Sequence, residues 1–184
     1  MGIKVLVAYA STHGSTQEVA EVVTTTLRDH GLAVDLKRAR DVRALDGYRA
    51  VVLGAPLYMF RLHGDALRFL SRHQQALKGD LPIAIFAGGP FGEGAGEAWQ
   101  EVRQHLDREL AKFPWLRPVS VEVIGGRFDP ARLRLPWSLI PGLRRMPPSD
   151  LRDWEAIRGW ARSLAASMQA TSTLAGLYQP AIAC

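Results

Sequence analysis

The chain has 184 residues, of which 47% are apolar and 22% charged. This composition excludes disordered and fibrous proteins and predicts one domain with a hydrophobic core. The formal net charge is +5, and residues 127–148 supply much of it, since five arginines and one aspartate give that stretch a net +4. Such a stretch suits nucleic acid, an anionic membrane surface or an acidic ligand, or is a solvated face. We predict no nucleic-acid partner.

The only cysteine, Cys184, excludes an intrachain disulfide and a cysteine-based metal site. A chain with so little cysteine is typical of a reducing compartment. The N-terminus lacks the basic and then apolar pattern of a signal peptide, and no apolar run approaches the ~18 residues that a spanning helix needs. The histidines do not have metal-ligand spacing. We therefore expect a soluble, cytoplasmic protein without a metal site.

Apolar runs alternate with helical periodicity along the chain, which predicts a parallel α/β sheet covered by helices on both faces. Strands are predicted over residues 3–8, 33–37, 50–54, 81–87 and 119–124. Helices are predicted over residues 15–30, 65–77, 97–113 and 150–168. Prolines make residues 127–149 irregular. The domain is predicted to span residues 1–169, and residues 170–184 to form a flexible tail.

In a sheet with the strand order 2-1-3-4-5, the loops after the first, third and fourth strands meet at the edge where such sheets bind ligands. The first of these, here called the hydroxyl loop, leads into a helix and consists of Ser11, Thr12, His13, Gly14, Ser15 and Thr16. Unpaired N–H groups and the helix dipole attract anions at such a position. Without the lysine of a Walker loop, it predicts a cradle for a phosphate monoester. The alternative is a helix cap without a ligand.

The other two loops supply apolar and aromatic walls. The loop over 55–62 offers Pro56, Leu57, Tyr58, Met59 and Phe60. The loop over 88–96 offers Gly88, Gly89, Pro90, Phe91 and Gly92, and the glycine N–H groups are expected to be available to a ring edge. Aromatic walls and backbone donors around a ring edge are how an isoalloxazine is commonly held. The alternatives are ordinary core or surface aromatics and a flexible loop without a ligand.

The hydroxyl loop resembles the FMN phosphate loop (Ser/Thr)-x-x-Gly-x-Thr of the flavodoxin family. Residues 11–20, 54–73, 125–128 and 153–161 further resemble the flavodoxin-type, quinone-dependent protoporphyrinogen dehydrogenases. The resemblance implies a flavodoxin-like three-layer sandwich with a five-stranded parallel sheet of order 2-1-3-4-5. It also implies one non-covalent FMN, bound by the three loops, and two-electron redox chemistry with a small-molecule substrate or a quinone. One departure is the compact stretch 87–96, where those dehydrogenases carry a longer basic insertion.

Three functions stay open at this point: an FMN-dependent oxidoreductase, an electron-carrier flavodoxin, and a flavodoxin-like scaffold without flavin. Electron carriers tend to be acidic, so the positive charge of this chain argues against that role. Residues 133–146 mix arginine with Trp, Leu and Ile, which suits either the inner face of an anionic membrane or packing on the domain. The oligomeric state, a homodimer included, and the catalytic residues are left unassigned.

Overall fold

A central parallel sheet organises the molecule, and the computed structural model describes residues 3–58, 60–89, 95–132, 139, 142, 145 and 147–177. The strands in chain order are β1 (Lys4–Tyr9), β2 (Ala33–Arg38), β3 (Ala50–Tyr58), β4 (Arg61–Leu62), β5 (Ile83–Gly88) and β6 (Ser120–Ile124). The order across the sheet is β2-β1-β3-β5-β6, and the short β4 pairs antiparallel with β3. The predicted order 2-1-3-4-5 is therefore confirmed once β4 is set aside.

Helices cover both faces of this sheet. In chain order they are α1 (Ser15–Asp29), α2 (Gly64–Arg72), α3 (Gln74–Lys78), α4 (Ala95–Leu110) and α5 (Trp154–Leu177). Successive strand residues point to opposite faces, so Val5 packs in the cluster with α1 and α5, whereas Leu6 packs in the cluster with α2, α3 and α4. The result is the predicted three-layer sandwich. None of the helices in the described part of the chain is long and apolar enough to cross a bilayer.

The helix predicted over residues 65–77 is wrong as a single element, because the chain divides into α2 and α3 at His73. The His73 ring is buried, and its Nε2 lies 3.3 Å from the carbonyl oxygen of Val42. This bond draws the side chain towards the connection after β2. Helical periodicity continues across the break, since Leu77 packs in the same core cluster as the residues of α2.

The last helix begins later and ends later than predicted. It starts at Trp154 because the Asp153 carboxylate accepts the N–H groups of Glu155 and Ala156, at 3.0 and 2.9 Å, as an N-cap. It continues through Leu177, so residues 170–177 of the predicted tail are helical. Residues 178–184 lie outside the described residues, and the domain boundary at 169 stays a prediction.

β3 is longer than predicted, since the stretch assigned to a loop from residue 55 continues as strand through Tyr58. β1 ends at Tyr9, which lies opposite Gly54, so this edge of β3 is open beyond that point. The returning chain fills it, and the His63 N–H donates to the Pro56 carbonyl at 3.2 Å. A proline is tolerated here because no neighbouring strand requires its missing N–H.

The segment predicted to be irregular, residues 127–149, is joined at its two ends, here called its base, by a short ladder of strands. β7 (Arg127–Phe128) and β8 (Ser149–Asp150) form a two-residue antiparallel ladder. Beside it, the backbone of Gly125 comes so close to the chain at Leu151 that a Cβ would lie 1.8 Å from the Leu151 carbonyl oxygen. The two ends of the segment 127–150 are thus held together. Of the predicted membrane segment 133–146, only residues 139, 142 and 145 are described.

Candidate functional site

The carboxyl ends of β1, β3 and β5 lie side by side at one edge of the sheet, as the sequence predicts. The Ala10 N–H donates to the Gly54 carbonyl at 2.8 Å, which places the start of the hydroxyl loop against β3. Further along β3, Pro56 pairs with Gly88 of β5. The structure therefore brings the hydroxyl loop, the end of β3 and the end of β5 to one place.

The hydroxyl loop opens α1 through a left-handed glycine. Gly14 has φ +90°, a conformation that glycine adopts without the strain a side chain would bring. Gly14, at the N-cap position, makes no side-chain capping bond, and the Glu18 N–H is bonded to the Gly14 carbonyl at 3.1 Å. The N–H groups of residues 15–17 precede that first helical bond. Ser11 Oγ accepts the Gly14 N–H at 2.9 Å, which folds the loop and leaves the Ser11 hydroxyl hydrogen to donate elsewhere.

The donors of this loop suit a phosphate monoester. Ser11, Ser15 and Thr12 are partly or fully exposed, whereas Thr16 is buried. Hydroxyl groups and N–H groups at the positive end of a helix dipole stabilise a phosphate without a lysine. The residues present therefore fit the terminal phosphate of FMN, and their role in binding it stays a prediction.

His63 joins the hydroxyl loop to the hairpin. Its Nε2 lies 3.0 Å from Thr12 Oγ1, and its Nδ1 accepts the Asp65 N–H at 3.1 Å. Burial lowers the pKa of His63, which favours the neutral ring. Since Nδ1 accepts, Nε2 carries the proton and donates to Thr12. No site role for His63 is predicted from the sequence, and its one local signal is its place just before a helix, where a side chain caps the first turn.

Tyr58 is the wall residue that faces the hydroxyl loop. Its ring centroid lies 5.9 Å from that of His13, edge-on, and 6.0 Å from that of His63. Burial raises the pKa of Tyr58, and hydrogen bonds from the hydroxyl and backbone N–H of Thr12 offset part of that shift. At neutral pH the phenol is thus protonated and both donates and accepts. Of the aromatic residues predicted for this wall, Tyr58 lies beside the hydroxyl loop, and its role as a wall for a flavin stays a prediction.

Other predicted wall residues have different surroundings. Leu57 is buried in the core cluster that contains α2 and α4. Phe60, at φ +64°, stacks on His105 of α4 with ring centroids 4.1 Å apart. The Gly89 N–H donates to the Ile124 carbonyl at 2.6 Å, so the prediction that it is available to a ring edge is wrong. The remaining predicted residues Met59, Pro90, Phe91 and Gly92 lie outside the described residues.

An ion-pair network ties the base of the segment 127–150 to the first turn of α1. Arg152, whose side chain is 3% exposed, donates to Asp150 and to Glu18, each at 2.7 Å. Its Nη1 also lies 3.4 Å from the Ser15 carbonyl oxygen, and Arg127 donates to Glu18 at 3.2 Å. The sequence does not reveal this network, because Glu18 and Arg152 are 134 residues apart.

Comparison with known proteins agrees with this architecture. A family model described as a flavodoxin domain matches residues 6–136. Protoporphyrinogen IX dehydrogenase [quinone] of Escherichia coli (strain K12) is 23% identical over 176 residues, which cover 89% of this chain and 95% of that protein.

Solved structures show the same fold at low identity. Oxidised flavodoxin 1 from Bacillus cereus matches with a TM-score of 0.55 and 15% identity, over 90% of this chain and 96% of that one. Rubredoxin oxygen:oxidoreductase from Desulfovibrio gigas matches with a TM-score of 0.55 and 19% identity, over 91% of this chain but 36% of that one. Since the family model matches well over half of its length, the chain belongs to the flavodoxin domain family.

Proposed function

We propose that this protein is an FMN-binding oxidoreductase that transfers electrons between a small-molecule substrate and a quinone. Membership of the flavodoxin domain family supports a flavin-dependent redox role. The observation that carries the proposal is the hydroxyl loop, an uncapped helix start at the meeting edge of β1 and β3 that faces Tyr58. FMN differs from riboflavin by the terminal phosphate that this loop suits.

The bound flavin supplies the hydride and electron transfer, and the chain binds and orients it. The N–H groups of residues 15–17 hold the phosphate, together with the hydroxyls of Ser11, Thr12 and Ser15. Tyr58 forms one wall for the ring, with His13 and His63 packed beside its own ring. These neighbours keep the Tyr58 ring in place and exclude water from its edge.

The test of this site is flavin binding by the purified chain. We expect a yellow protein that binds FMN more tightly than riboflavin, with a melting temperature that rises as FMN is added. In the variant Ser15→Asp, the new carboxylate stabilises the start of α1 by about 0.5 kcal/mol but repels the phosphate. FMN affinity should therefore fall by about 100-fold while the melting temperature of the flavin-free protein does not fall.

Ser163→Asp is the matched control, since Ser163 is exposed on α5, and FMN affinity should be unchanged there. Flavin dissociation constants come from fluorescence quenching, and melting temperatures from circular dichroism. A colourless protein whose melting temperature does not respond to FMN would contradict the proposal. So would a Ser15→Asp variant that binds FMN as tightly as the wild type.

The relative in Escherichia coli motivates the choice of substrates to assay. Because that protein is named for protoporphyrinogen IX and a quinone, we propose a porphyrinogen as the reductant and a quinone as the acceptor. Under anaerobic conditions, porphyrin fluorescence should rise only when FMN-loaded protein and quinone are both present. If porphyrin fluorescence rises no faster than with heat-denatured protein, a porphyrinogen is not the substrate. That result would not contradict the proposed FMN site. The membrane contact through 133–146 stays one of the two alternatives given for that segment, and the oligomeric state stays unassigned.

A further inference from the structure

His63 reaches the hydroxyl loop because β1 ends before β3 does. The chain that returns after Tyr58 runs along the edge of β3 that β1 leaves open, and the His63 N–H donates to Pro56 at 3.2 Å. This places His63 next to the residues that follow β1. Its Nε2 consequently lies 3.0 Å from Thr12 Oγ1, although the two residues are 51 positions apart.

Both ring nitrogens of His63 are engaged, so the orientation of the ring is defined. Nδ1 accepts the Asp65 N–H in the first turn of α2 at 3.1 Å. The Asp65 carboxylate in turn accepts from Arg68 at 2.6 Å. With Nδ1 accepting from Asp65, the neutral ring carries its N–H on Nε2 and donates it to Thr12.

The bond from His63 determines what the Thr12 hydroxyl can do. With one lone pair taken by the His63 N–H, the hydroxyl hydrogen is left to donate to another acceptor, and the Tyr58 oxygen is one such acceptor. A phosphate oxygen is a stronger acceptor than a phenol. We infer that His63 is a positioning residue that holds the Thr12 hydroxyl as a donor to the flavin phosphate and so strengthens the preference for FMN over riboflavin. This role presupposes the proposed FMN site.

Two substitutions separate the two bonds of His63. In His63→Asn the short amide still accepts the Asp65 N–H as an N-cap but does not reach Thr12. In His63→Gln the longer side chain brings an amide donor to the Nε2 position. We expect His63→Asn to raise the dissociation constant of FMN about tenfold and that of riboflavin less than about twofold. His63→Gln should retain FMN affinity within about threefold of the wild type.

Thr12→Val should weaken FMN binding at least as much as His63→Asn, because it removes the phosphate donor itself. The double variant should bind FMN no more weakly than Thr12→Val alone, because His63 acts through Thr12. His30→Asn is the matched control, since the His30 ring lies 2.8 Å from the Thr26 carbonyl at the far end of α1. It should leave both dissociation constants unchanged. Dissociation constants are measured by flavin fluorescence with the full chain, and the melting temperature of every variant is recorded.

Losses that add in the double variant, or a His63→Asn protein with wild-type preference for FMN, would overturn the inference while the proposed function stands. A riboflavin affinity that falls together with FMN affinity would also overturn it, since the effect would then not act on the phosphate. A wild type without FMN affinity would overturn both. If His63→Asn does not fold, His63→Ser, also an N-cap without reach to Thr12, takes its place.

Discussion

Arg152 connects two parts of the molecule through one guanidinium group. It contacts Asp150 at the base of the segment 127–150, and Glu18 and the Ser15 carbonyl in the first turn of α1. Its side chain is 3% exposed, while Asp150 is 41% exposed and Glu18 34% exposed. Removing one partner of a buried ion pair destabilises a protein mainly because the other partner loses its hydrogen bonds.

We expect Arg152→Met to lower the free energy of unfolding by about 2 kcal/mol, because methionine fills the volume but removes the donor that Asp150 and Glu18 share. Urea unfolding at pH 7 measures this. Arg162→Met is the control, since Arg162 pairs with the exposed Glu155 and its loss should leave the free energy of unfolding nearly unchanged. Equal losses in the two variants would contradict the role assigned to Arg152.

The same network makes the stability depend on pH. Hydrogen bonds from the Arg152 side chain hold the pKa of the Asp150 carboxyl below its ordinary value. Such a group stabilises fully above its unfolded-state pKa, and the contribution is lost as the pH falls through the folded-state pKa. The difference in stability between the wild type and Arg152→Met should be constant from about pH 7 to pH 5 and shrink below about pH 4. A difference that grows on acidification would contradict this sign.

At the scale of elements, the strands and long helices could be predicted because their patterns are local. α1, for example, begins at Ser15 as predicted, and Gly31 follows it with φ +81°. The end of β3 could not be predicted, because Pro56 indicates a break in isolation. Its missing N–H is harmless only because β1 has already ended, and that is a property of a neighbouring strand.

The candidate site also has a part that the sequence predicts and a part that it does not. The hydroxyl loop could be found because its glycine and hydroxyls are adjacent in sequence. The bonds of His63 to Thr12 and of Gly89 to Ile124 depend on which chain ends lie side by side in space. No local pattern encodes those distances. The sequence therefore does not predict the His63 donor, and the prediction that the Gly89 N–H is available to a ring edge is wrong.

The base of the segment 127–150 offers a test at this scale. We expect Gly125→Ala to destabilise the protein by about 3 kcal/mol, because its Cβ would lie 1.8 Å from a backbone oxygen that cannot change rotamer. Thermal and urea unfolding measure the loss. Gly142→Ala serves as the control, since a Cβ there would meet nothing within 4 Å. Unchanged stability in Gly125→Ala would show that the two backbones are not in such close contact.

At the scale of the whole molecule, the fold does not separate an enzyme from an electron carrier, because both share it. The net charge of +5 disfavours docking by an acidic carrier surface. We expect a reductive titration of the FMN-loaded protein to follow a single two-electron wave. The potential should change by about 30 mV for each tenfold change in the ratio of oxidised to reduced flavin. Two separated waves of about 59 mV each would identify an electron carrier instead. Free FMN in the same cell is the control.

The ladder between β7 and β8 has an evolutionary consequence. Because Arg127 pairs with Asp150 and Phe128 with Ser149, the two ends of the segment between them meet at one fixed point. The entropic cost of closing a loop at such a point rises by only about 0.6 kcal/mol for each doubling of the loop's length. Insertions and deletions between these pairs can thus accumulate without disturbing α1 or the strand ends.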